Sequence, residues 1–436
     1  MNFPKILIIG QSFNKKSGGG VTISNLFTGW PKNRLVVASN TNLYSDLDTS
    51  VCDTYYQLGY NSKLHPFPLN IILPPIKCGI LPVGNNSNEA VKEEQKVQSG
   101  KYKIIYQALT ALLHFFGLYN VFYKLKITPE FAAWVKEYEP DIIYTQLASL
   151  ELIKFVDDVH EQTKKPIAIH IMDDWPLTIN KPGIFYSYWQ KVIDKEFRKL
   201  MDKSAILMSI SDAMGDEYKL RYGKDLIPFH NPIDINYWKP ATPKEYTIKD
   251  KFTILYAGRI GFGIESSITD IANAVNDIAK TNKDIVFEIQ TGDVEALNKL
   301  VQLNENVKWM KPIAYSALPQ KFSGVDLLLL PQDFDAKSVQ FLKYSFPTKV
   351  SEYMISGTPI LVYGDERTGL TKYAVKEQWA YVVTENNTAA LTEAINNLIA
   401  NVELRRSLAE KAQKIAIERE DAVIVRENFR KSFILS

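Results

Sequence analysis

The sequence has little cysteine and almost no net charge. Only Cys52 and Cys78 occur among 436 residues, and their spacing fits neither a metal site nor a redox motif. Two such thiols exclude a disulfide framework and favour the reducing environment of the cytosol. The formal net charge of +2 gives no indication of nucleic-acid binding. We therefore expect no nucleic-acid partner.

The sequence also lacks a clear secretion signal or membrane span. The apolar run from Ile6 to Ile9 is too short for a signal and predicts a first strand. Residues 104–123 carry no formal charge and are long enough to cross a bilayer. However, one stripe of polar or small residues recurs there at steps of three or four, which predicts an amphipathic helix instead. The stripe comprises Gln107, Thr110, His114, Gly117, Asn120 and Lys124.

Lysines flank this predicted helix on both sides, at positions 101, 103, 124 and 126. Two interpretations stay open. The helix packs on the protein core, or it rests on an anionic bilayer through residues 101–126.

Hydrophobic residues make up 46% of the chain and charged residues 23%, as in ordinary soluble proteins. Short apolar runs alternate with helical patterns in both halves of the chain, which predicts doubly wound α/β domains. We place an N-terminal domain at residues 1–235 and a C-terminal domain at 236–418. A tail at 419–436 is expected to pack back on the body.

A glycine-rich stretch follows the first predicted strand. Gly18, Gly19 and Gly20 are consecutive, so their spacing does not match the dinucleotide-binding fingerprint. The stretch predicts a loop from Gly10 to Gly20 before a helix from Val21. Its glycines form either a flexible turn or a bare backbone that approaches a ligand.

A cluster of polar residues stands at the end of the strand predicted for 167–171. His170, Asp173 and Asp174 lie where open α/β sheets place ligands. They could bind sugar hydroxyls or transfer a proton. Alternatively, His170 is a core histidine and Asp174 caps a helix.

Two stretches of the second half are suited to a phosphate. Gly258 and Arg259 follow a strand predicted for 252–257, and an arginine fork pairs well with phosphate oxygens. A helix is predicted from about Thr348 to Ser356, and its free N–H groups are suited to an anion. Glu352, one turn into that helix, could accept hydrogen bonds from two vicinal hydroxyls. The alternative is an ordinary capped helix with an exposed glutamate.

These motifs, in this order, resemble the retaining family-4 glycosyltransferases (glycosyl transferases group 1), which have the GT-B fold. The matching sequences are Gly18–Val21, His170–Pro176, Tyr256–Arg259 and Phe346–Met354. The resemblance covers about residues 5 to 420. It implies two Rossmann-like doubly wound α/β domains that face each other across a cleft.

The resemblance also implies roles for individual residues. Glu352 would bind the ribose of a nucleotide diphosphate sugar, and Arg259 would neutralise the leaving diphosphate. His170, Asp173 and Asp174 would line the acceptor side. The remaining ligand-binding positions implied are Gly19, Gly20, Gly258, Lys311, Ile313, Phe346, Pro347, Thr348 and Lys349.

The chain departs from the family pattern at two positions. Tyr344 stands where a second, sugar-binding glutamate is common, and Ile264 stands where a phosphate-binding lysine is common. Lys343 or Lys349 could replace that lysine. A nucleotide-sugar epimerase of the same fold and a non-catalytic sugar-nucleotide-binding partner therefore remain alternatives.

The expected activity is sugar transfer, with retention of configuration, to a glycan or lipid-linked acceptor in bacterial surface polysaccharide or glycoconjugate synthesis. The resemblance implies no metal and no cofactor beyond the donor substrate. We expect a cytoplasmic protein, with peripheral contact at the inner face of the membrane if the helix at 101–126 rests on lipid.

Overall fold

The computed structural model describes residues 3–14, 18–40, 48–58, 78–81, 100–178, 183–240 and 244–434. Side chains are described in these ranges except at residues 18, 100–107 and 178. The lysines at positions 101 and 103, predicted to flank the amphipathic helix, therefore have undescribed side chains. The chain forms two compact units. The first comprises Met1–Phe229 with Arg426–Ser436, and the second comprises His230–Val425.

The first unit is built on an eight-stranded sheet. Its strands are β1 Ile6–Ile9, β2 Leu35–Ser39, β3 Tyr55–Gln57, β4 Gly79–Ile80, β5 Ile142–Thr145, β6 Ile167–Ile171, β7 Ile206–Ser209 and β8 Ile227–Pro228. Their order across the sheet is β4-β3-β2-β1-β5-β6-β7-β8. All neighbours are parallel except β3 and β4. Every residue of β1, β2, β5 and β6 is buried, as expected of strands covered on both faces.

Helices connect these strands. They are α1 Gly18–Phe27, α2 Gly100–Phe115, α3 Tyr119–Phe122, α4 Pro129–Tyr138, α5 Leu150–Thr163, α6 Trp175–Thr178, α7 Tyr186–Lys203 and α8 Asp212–Tyr222, with a 3₁₀ turn at Lys32–Arg34. Ser211 caps the start of α8, because its side chain accepts a hydrogen bond from Met214 N at 3.3 Å. Among the described residues, no helix is long and apolar enough to cross a membrane.

The glycine-rich stretch differs from the prediction. Gly18 to Gly20 form the first turn of α1 rather than a loop before it. A Cβ atom on Gly20 would lie 2.0 Å from Nδ2 of Asn14, so only glycine allows the helix to start this close to the preceding loop. Close packing therefore decides where the helix begins.

The second unit contains a six-stranded parallel sheet. Its strands are β9 Phe252–Ala257, β10 Ile285–Gln290, β11 Val307–Met310, β12 Leu327–Pro331, β13 Ile360–Tyr363 and β14 Tyr381–Val383. The order β11-β10-β9-β12-β13-β14 is that of a doubly wound nucleotide-binding sheet. The predicted bounds of β9, residues 252–257, are confirmed.

The helices of the second unit follow in chain order. They are α9 Ile235–Trp238, α10 Glu265–Ala279, α11 Val294–Leu300, α12 Leu318–Ser323, α13 Ala336–Leu342, α14 Lys349–Ile355, α15 Gly369–Glu377, α16 Thr388–Ala400 and α17 Val402–Arg419, with a 3₁₀ turn at Tyr315–Ala317. Gly357 follows α14 with φ +75°, the left-handed conformation expected at that helix end.

A last helix, α18 Ala422–Ser432, contributes its residues from Arg426 onwards to the first unit. Phe429 and Phe433 are buried there. Their rings pack on Phe27 and Tyr144 at centroid distances of 5.0 to 6.3 Å. The end of the chain therefore fills part of the core that its beginning builds.

Candidate functional site

The order of the second sheet reverses between β9 and β12, and open α/β sheets bind ligands at such a point, beyond the carboxyl ends of the strands. Gly258 follows β9 directly, and its N–H donates to Gln290 O at 3.0 Å. A Cβ atom on Gly258 would lie 2.6 Å from Nζ of Lys349. Glycine at this position therefore leaves room for a lysine at the strand end.

Lys349 is the first residue of α14, and its side chain lies across the end of β9. Nζ donates to Ala257 O at 3.0 Å and lies 4.1 Å from the ring centroid of Tyr256. Burial lowers the pKa of Lys349 to about 7; the charge of Glu352 opposes this shift and that of Arg259 adds to it. An arriving anion would favour the charged form of this amine.

Arg259 lies beside this amine with an exposed side chain. Its own backbone is fixed: Tyr256 Oη donates to Arg259 O at 2.6 Å, and the next residue, Ile260, donates its N–H to Asp293 Oδ2 at 2.9 Å. Within the described part of the chain, the guanidinium makes no hydrogen bond or ion pair. Its donors are available on a fixed turn, as phosphate binding requires.

Glu352 is half-buried in the first turn of α14. Burial raises the pKa of its carboxyl to about 7, against the lowering effects of a hydrogen bond from Tyr315 and the charge of Lys349. Tyr315 Oη donates to Glu352 Oε1 at 3.3 Å. The carboxylate therefore has one weak protein donor and capacity for further donors from a ligand.

Tyr315 is a site residue that the sequence did not indicate. It is exposed in the 3₁₀ turn after β11, and its ring stacks on that of Tyr237 at 6.0 Å with an interplanar angle of 9°. Tyr237 Oη also donates to Tyr315 O at 3.3 Å. The partner Glu352 is 37 positions away, so no local pattern reveals the pair.

The predicted binding positions around α14 and β11 have different surroundings. Thr348 is the residue before α14, and no side chain caps that helix end. Phe346 is buried, and its ring stacks on His230 at 4.7 Å. Lys311 and Ile313 are exposed after β11, where Gln290 Nε2 donates to Lys311 O at 3.2 Å.

Pro347, also predicted to bind ligand, is half-buried before α14, and its carbonyl accepts from Val350 N at 3.1 Å. Whether the backbone N–H groups of this segment bind a phosphate stays a prediction.

The structure gives different positions to Lys343 and Lys349, the two lysines that could replace the lysine absent at position 264. Lys349 reaches the end of β9, next to Arg259, whereas Nζ of Lys343 lies 5.0 Å from the ring centroid of Tyr344. Tyr344 itself is 6% exposed. The position expected to supply a second, sugar-binding carboxylate therefore holds a mostly buried ring.

In the first unit, two amide side chains border the start of α1. A Cβ atom on Gly19 would lie 3.3 Å from Oε1 of Gln146 and 3.5 Å from Oε1 of Gln11. Gln146 Nε2 donates to Tyr144 Oη at 3.1 Å. Polar groups thus gather at the carboxyl ends of β1 and β5, where the order of this sheet reverses.

The structure favours the core interpretation of His170. The residue has no exposed surface, its Nδ1 pairs with Tyr144 Oη at 2.8 Å, and aromatic rings of Phe229 and Phe429 surround it. Burial lowers the pKa of His170 to about 3. A neutral, enclosed imidazole is poorly placed to exchange a proton with a substrate.

Asp173 and Asp174 have different environments. Asp173 has an exposed side chain, and partial loss of water around the carboxyl raises its pKa. Asp174 forms a two-pronged pair with Arg221 at 2.8 and 3.0 Å and accepts from Tyr218 Oη at 3.2 Å. Its oxygens anchor the segment after β6 to α8, which favours a structural role for Asp174.

We expect Asp174→Ala to destabilise the first unit by about 2 kcal/mol, because the mostly buried Arg221 loses its two-pronged partner and keeps only its pair with Glu217. Thermal or urea unfolding measures the loss. The matched control is Asp202→Ala, which breaks the more exposed pair with Lys224 and costs less than about 1 kcal/mol. Equal losses in the two variants would contradict the structural role.

Across the described ranges, no group of three or more His, Cys, Asp or Glu side chains is placed to hold a metal ion. The expectation of a metal-free, cofactor-free reaction stays a prediction.

Comparison with known proteins adds two findings. Residues 239–415 match the family model described as glycosyl transferases group 1. None of the curated proteins matches the sequence.

Solved structures resemble the chain over nearly its full length. HepE of Anabaena, in complex with UDP and glucose, is 15% identical with a TM-score of 0.59 over 98% of this chain and 99% of that chain. Sucrose-phosphate synthase of Thermosynechococcus elongatus is 11% identical, with a TM-score of 0.58 over 98% of this chain and 97% of that chain. A glycosyltransferase of Rickettsia africae is 15% identical with a TM-score of 0.58 over 100% of both chains.

At these identities the likeness shows the fold, and it confirms the predicted GT-B class of two doubly wound α/β sheets. The family match covers most of the second unit and includes Arg259, Lys349 and Glu352. Residues 239–415 therefore resemble a glycosyltransferase domain of group 1, in a chain with the GT-B fold.

Proposed function

We propose that this protein transfers a sugar from a nucleotide diphosphate sugar to a glycan or lipid-linked acceptor, with retention of configuration. One observation carries the proposal: two cations, Arg259 and Lys349, and the carboxylate of Glu352 lie together at the carboxyl end of β9. All three belong to the segment that matches the group 1 family.

The cations have a direct role in the proposed transfer. The bond between the anomeric carbon and the oxygen of the terminal phosphate breaks, and the acceptor hydroxyl oxygen bonds that carbon and passes its proton to the departing phosphate. Negative charge develops on that phosphate as the bond breaks. Arg259 and Lys349 stabilise this charge, and fixed cations in a partly dehydrated site do so better than water. Lys349 becomes fully protonated as the diphosphate binds, since its pKa near 7 rises beside an anion.

Glu352 fixes the nucleoside in this scheme. Its two oxygens accept hydrogen bonds from the two ribose hydroxyls, and the exposed residues after β11, including Ile313, lie near the base. The nucleotide is thereby held while its diphosphate leaves.

A thermal-shift panel of nucleoside diphosphates and their sugars tests the donor class. We expect stabilisation by one family of nucleotides, and UDP is the first candidate because the similar HepE structure contains UDP. Bound ligand raises the melting temperature by mass action. If no nucleotide stabilises the protein, the proposed donor is wrong.

We expect Tyr315→Phe to alter the pH dependence of donor use. Ribose binding needs the ionised Glu352, so kcat/KM falls as the pH drops through the free-enzyme pKa of about 7. The Tyr315 hydrogen bond lowers that pKa, so its removal raises the pKa. The acid limb, which is the fall of kcat/KM on the acidic side of the pH profile, therefore shifts to higher pH. Initial rates measured from about pH 5 to about pH 9 show the shift, because this range covers the titration of such a group.

Tyr381→Phe, a tyrosine of the edge strand β14, is the matched control and leaves the limb unchanged. An unmoved acid limb in Tyr315→Phe would show that this hydroxyl does not position Glu352.

A second candidate function is non-catalytic binding of the same nucleotide sugar. The mostly buried ring of Tyr344, at a position where the resemblance implies a sugar-binding carboxylate, favours it. Mass spectrometry of acceptor mixtures separates the two functions. Donor-induced stabilisation without transfer to any lipid-linked or glycan acceptor would favour the binding partner, and sugar isomerisation without an acceptor would favour an epimerase.

The setting we propose is bacterial surface polysaccharide or glycoconjugate synthesis at the cytoplasmic face of the membrane. The support is the resemblance of the motifs, and the mass of the product formed on a lipid-linked acceptor tests it.

A further inference from the structure

An apolar patch covers one side of the first unit. It is formed by large side chains that are 37 to 62% exposed, on the α2–α3 segment and at the start of α7. The members of this patch are Leu112, Phe115, Phe116, Leu118, Val121, Ile184, Phe185, Tyr186 and Tyr188. Soluble monomers rarely expose so many large apolar groups together.

The two segments form one built surface. Ile184 N donates to Phe115 O at 2.9 Å, and Trp189 Nε1 donates to Gly117 O at 2.6 Å. A Cβ atom on Gly117 would lie 2.8 Å from Phe185 Cβ, and one on Gly183 would lie 2.7 Å from the carbonyl oxygens of residues 114 and 115. Hydrogen bonds and close glycine contacts therefore fix these apolar groups in one arrangement.

Lysines flank the patch in sequence. Residues 100–129 and 175–193 contain six lysines and no aspartate or glutamate, although the chain has 49 acidic residues in 436. Lys124, Lys126 and Lys191 are exposed in the structure and form the lysine border of the patch. The two segments that carry the exposed aromatic rings thus also carry exposed lysines.

This combination discriminates between occupants. A second copy of the chain in a two-fold contact would place the lysine border against itself, which is unfavourable. Anionic lipid headgroups offer opposite charge, and the acyl boundary accepts the rings of Phe115 and Phe185. Tyrosine and tryptophan also favour the membrane–water interface.

We propose that the apolar patch and its lysine border dock this protein on an anionic phospholipid bilayer. The rings enter the boundary between headgroups and acyl chains, and the lysines pair with lipid phosphates. The proposal concerns the first unit alone and does not depend on the donor chemistry of the second.

Vesicle co-sedimentation of the full chain tests the docking. We expect binding to mixed phosphatidylglycerol and phosphatidylcholine vesicles in low salt, and much weaker binding to phosphatidylcholine alone. Phe115→Ser with Phe185→Ser lowers the affinity about tenfold or more per ring. The matched control, Leu220→Ser with Val375→Ser, changes exposed apolar groups elsewhere and keeps wild-type binding.

A charge reversal provides a second, independent variant. Lys124→Glu with Lys126→Glu lowers binding to anionic vesicles about fivefold or more per residue. Lys372→Glu with Lys376→Glu, exposed on α15, leaves it unchanged. Circular dichroism checks that each variant is folded.

Three outcomes would overturn the proposal: equal recovery with and without anionic lipid, equal loss in the test and control variants, or a dimer in light scattering that Phe115→Ser with Phe185→Ser dissolves while no vesicle binding occurs.

Discussion

Glu352→Gln lowers kcat/KM for the nucleotide-sugar donor by roughly a hundredfold. In the proposed site the carboxylate accepts two charge-assisted hydrogen bonds from the ribose, and the loss of their extra strength costs about 3 kcal/mol in total. The amide also places a donor against one of the two hydroxyls. Initial-rate kinetics with the donor identified by thermal shift measure the effect.

Glu366→Gln is the matched control, since Glu366 is an exposed carboxylate of the same unit after β13. It leaves kcat/KM within about twofold of the wild-type value, as expected of a surface change. If Glu352→Gln also keeps wild-type kcat/KM, the carboxylate does not bind the donor and the site must lie elsewhere.

Arg259→Ala and Lys349→Met each lower kcat by about 10²- to 10³-fold, the effect of removing one group that stabilises transition-state charge. Methionine keeps an unbranched side chain of similar length and removes the amine that lies over the Tyr256 ring. Because both cations face one leaving group in the proposed site, we expect the double variant to lose less than the product of the two single effects. Single-turnover measurements with saturating donor separate this loss from a loss of binding.

Arg406→Ala removes an exposed arginine of α17 that pairs with Glu403 and lies over the Tyr246 ring, and it serves as the control. Wild-type kcat in Arg259→Ala would contradict the phosphate role, and multiplicative losses in the double variant would contradict a shared target.

The buried strands could be predicted from the sequence, because runs such as Ile6–Ile9 and Ile360–Tyr363 are wholly apolar and bounded by polar or turn residues. Gly258 and Arg259 could also be located because they follow such a strand, and Glu352 because it lies in the first turn of a predicted helix. The start of α1 was predicted too late, because it is decided by contact between Gly20 and Asn14 rather than by local helix propensity.

The environment of a side chain was harder to predict than its position on an element. His170 and Asp174 both follow the pattern of a ligand-facing strand end. Yet His170 is enclosed partly by Phe429, and Asp174 is paired with Arg221, 47 positions away. Tyr315 was missed for the same reason. The spacing of residues along the sequence gives no indication of such long-range partners.

The last helix has a consequence for biosynthesis. Phe429 and Phe433 fill the core around Phe27 and Tyr144, so the first unit lacks part of its interior until these two residues have left the ribosome. During translation this part of the core stays incomplete while the whole of the second unit is synthesised. Truncation after residue 425 would therefore damage the half of the protein that is made first.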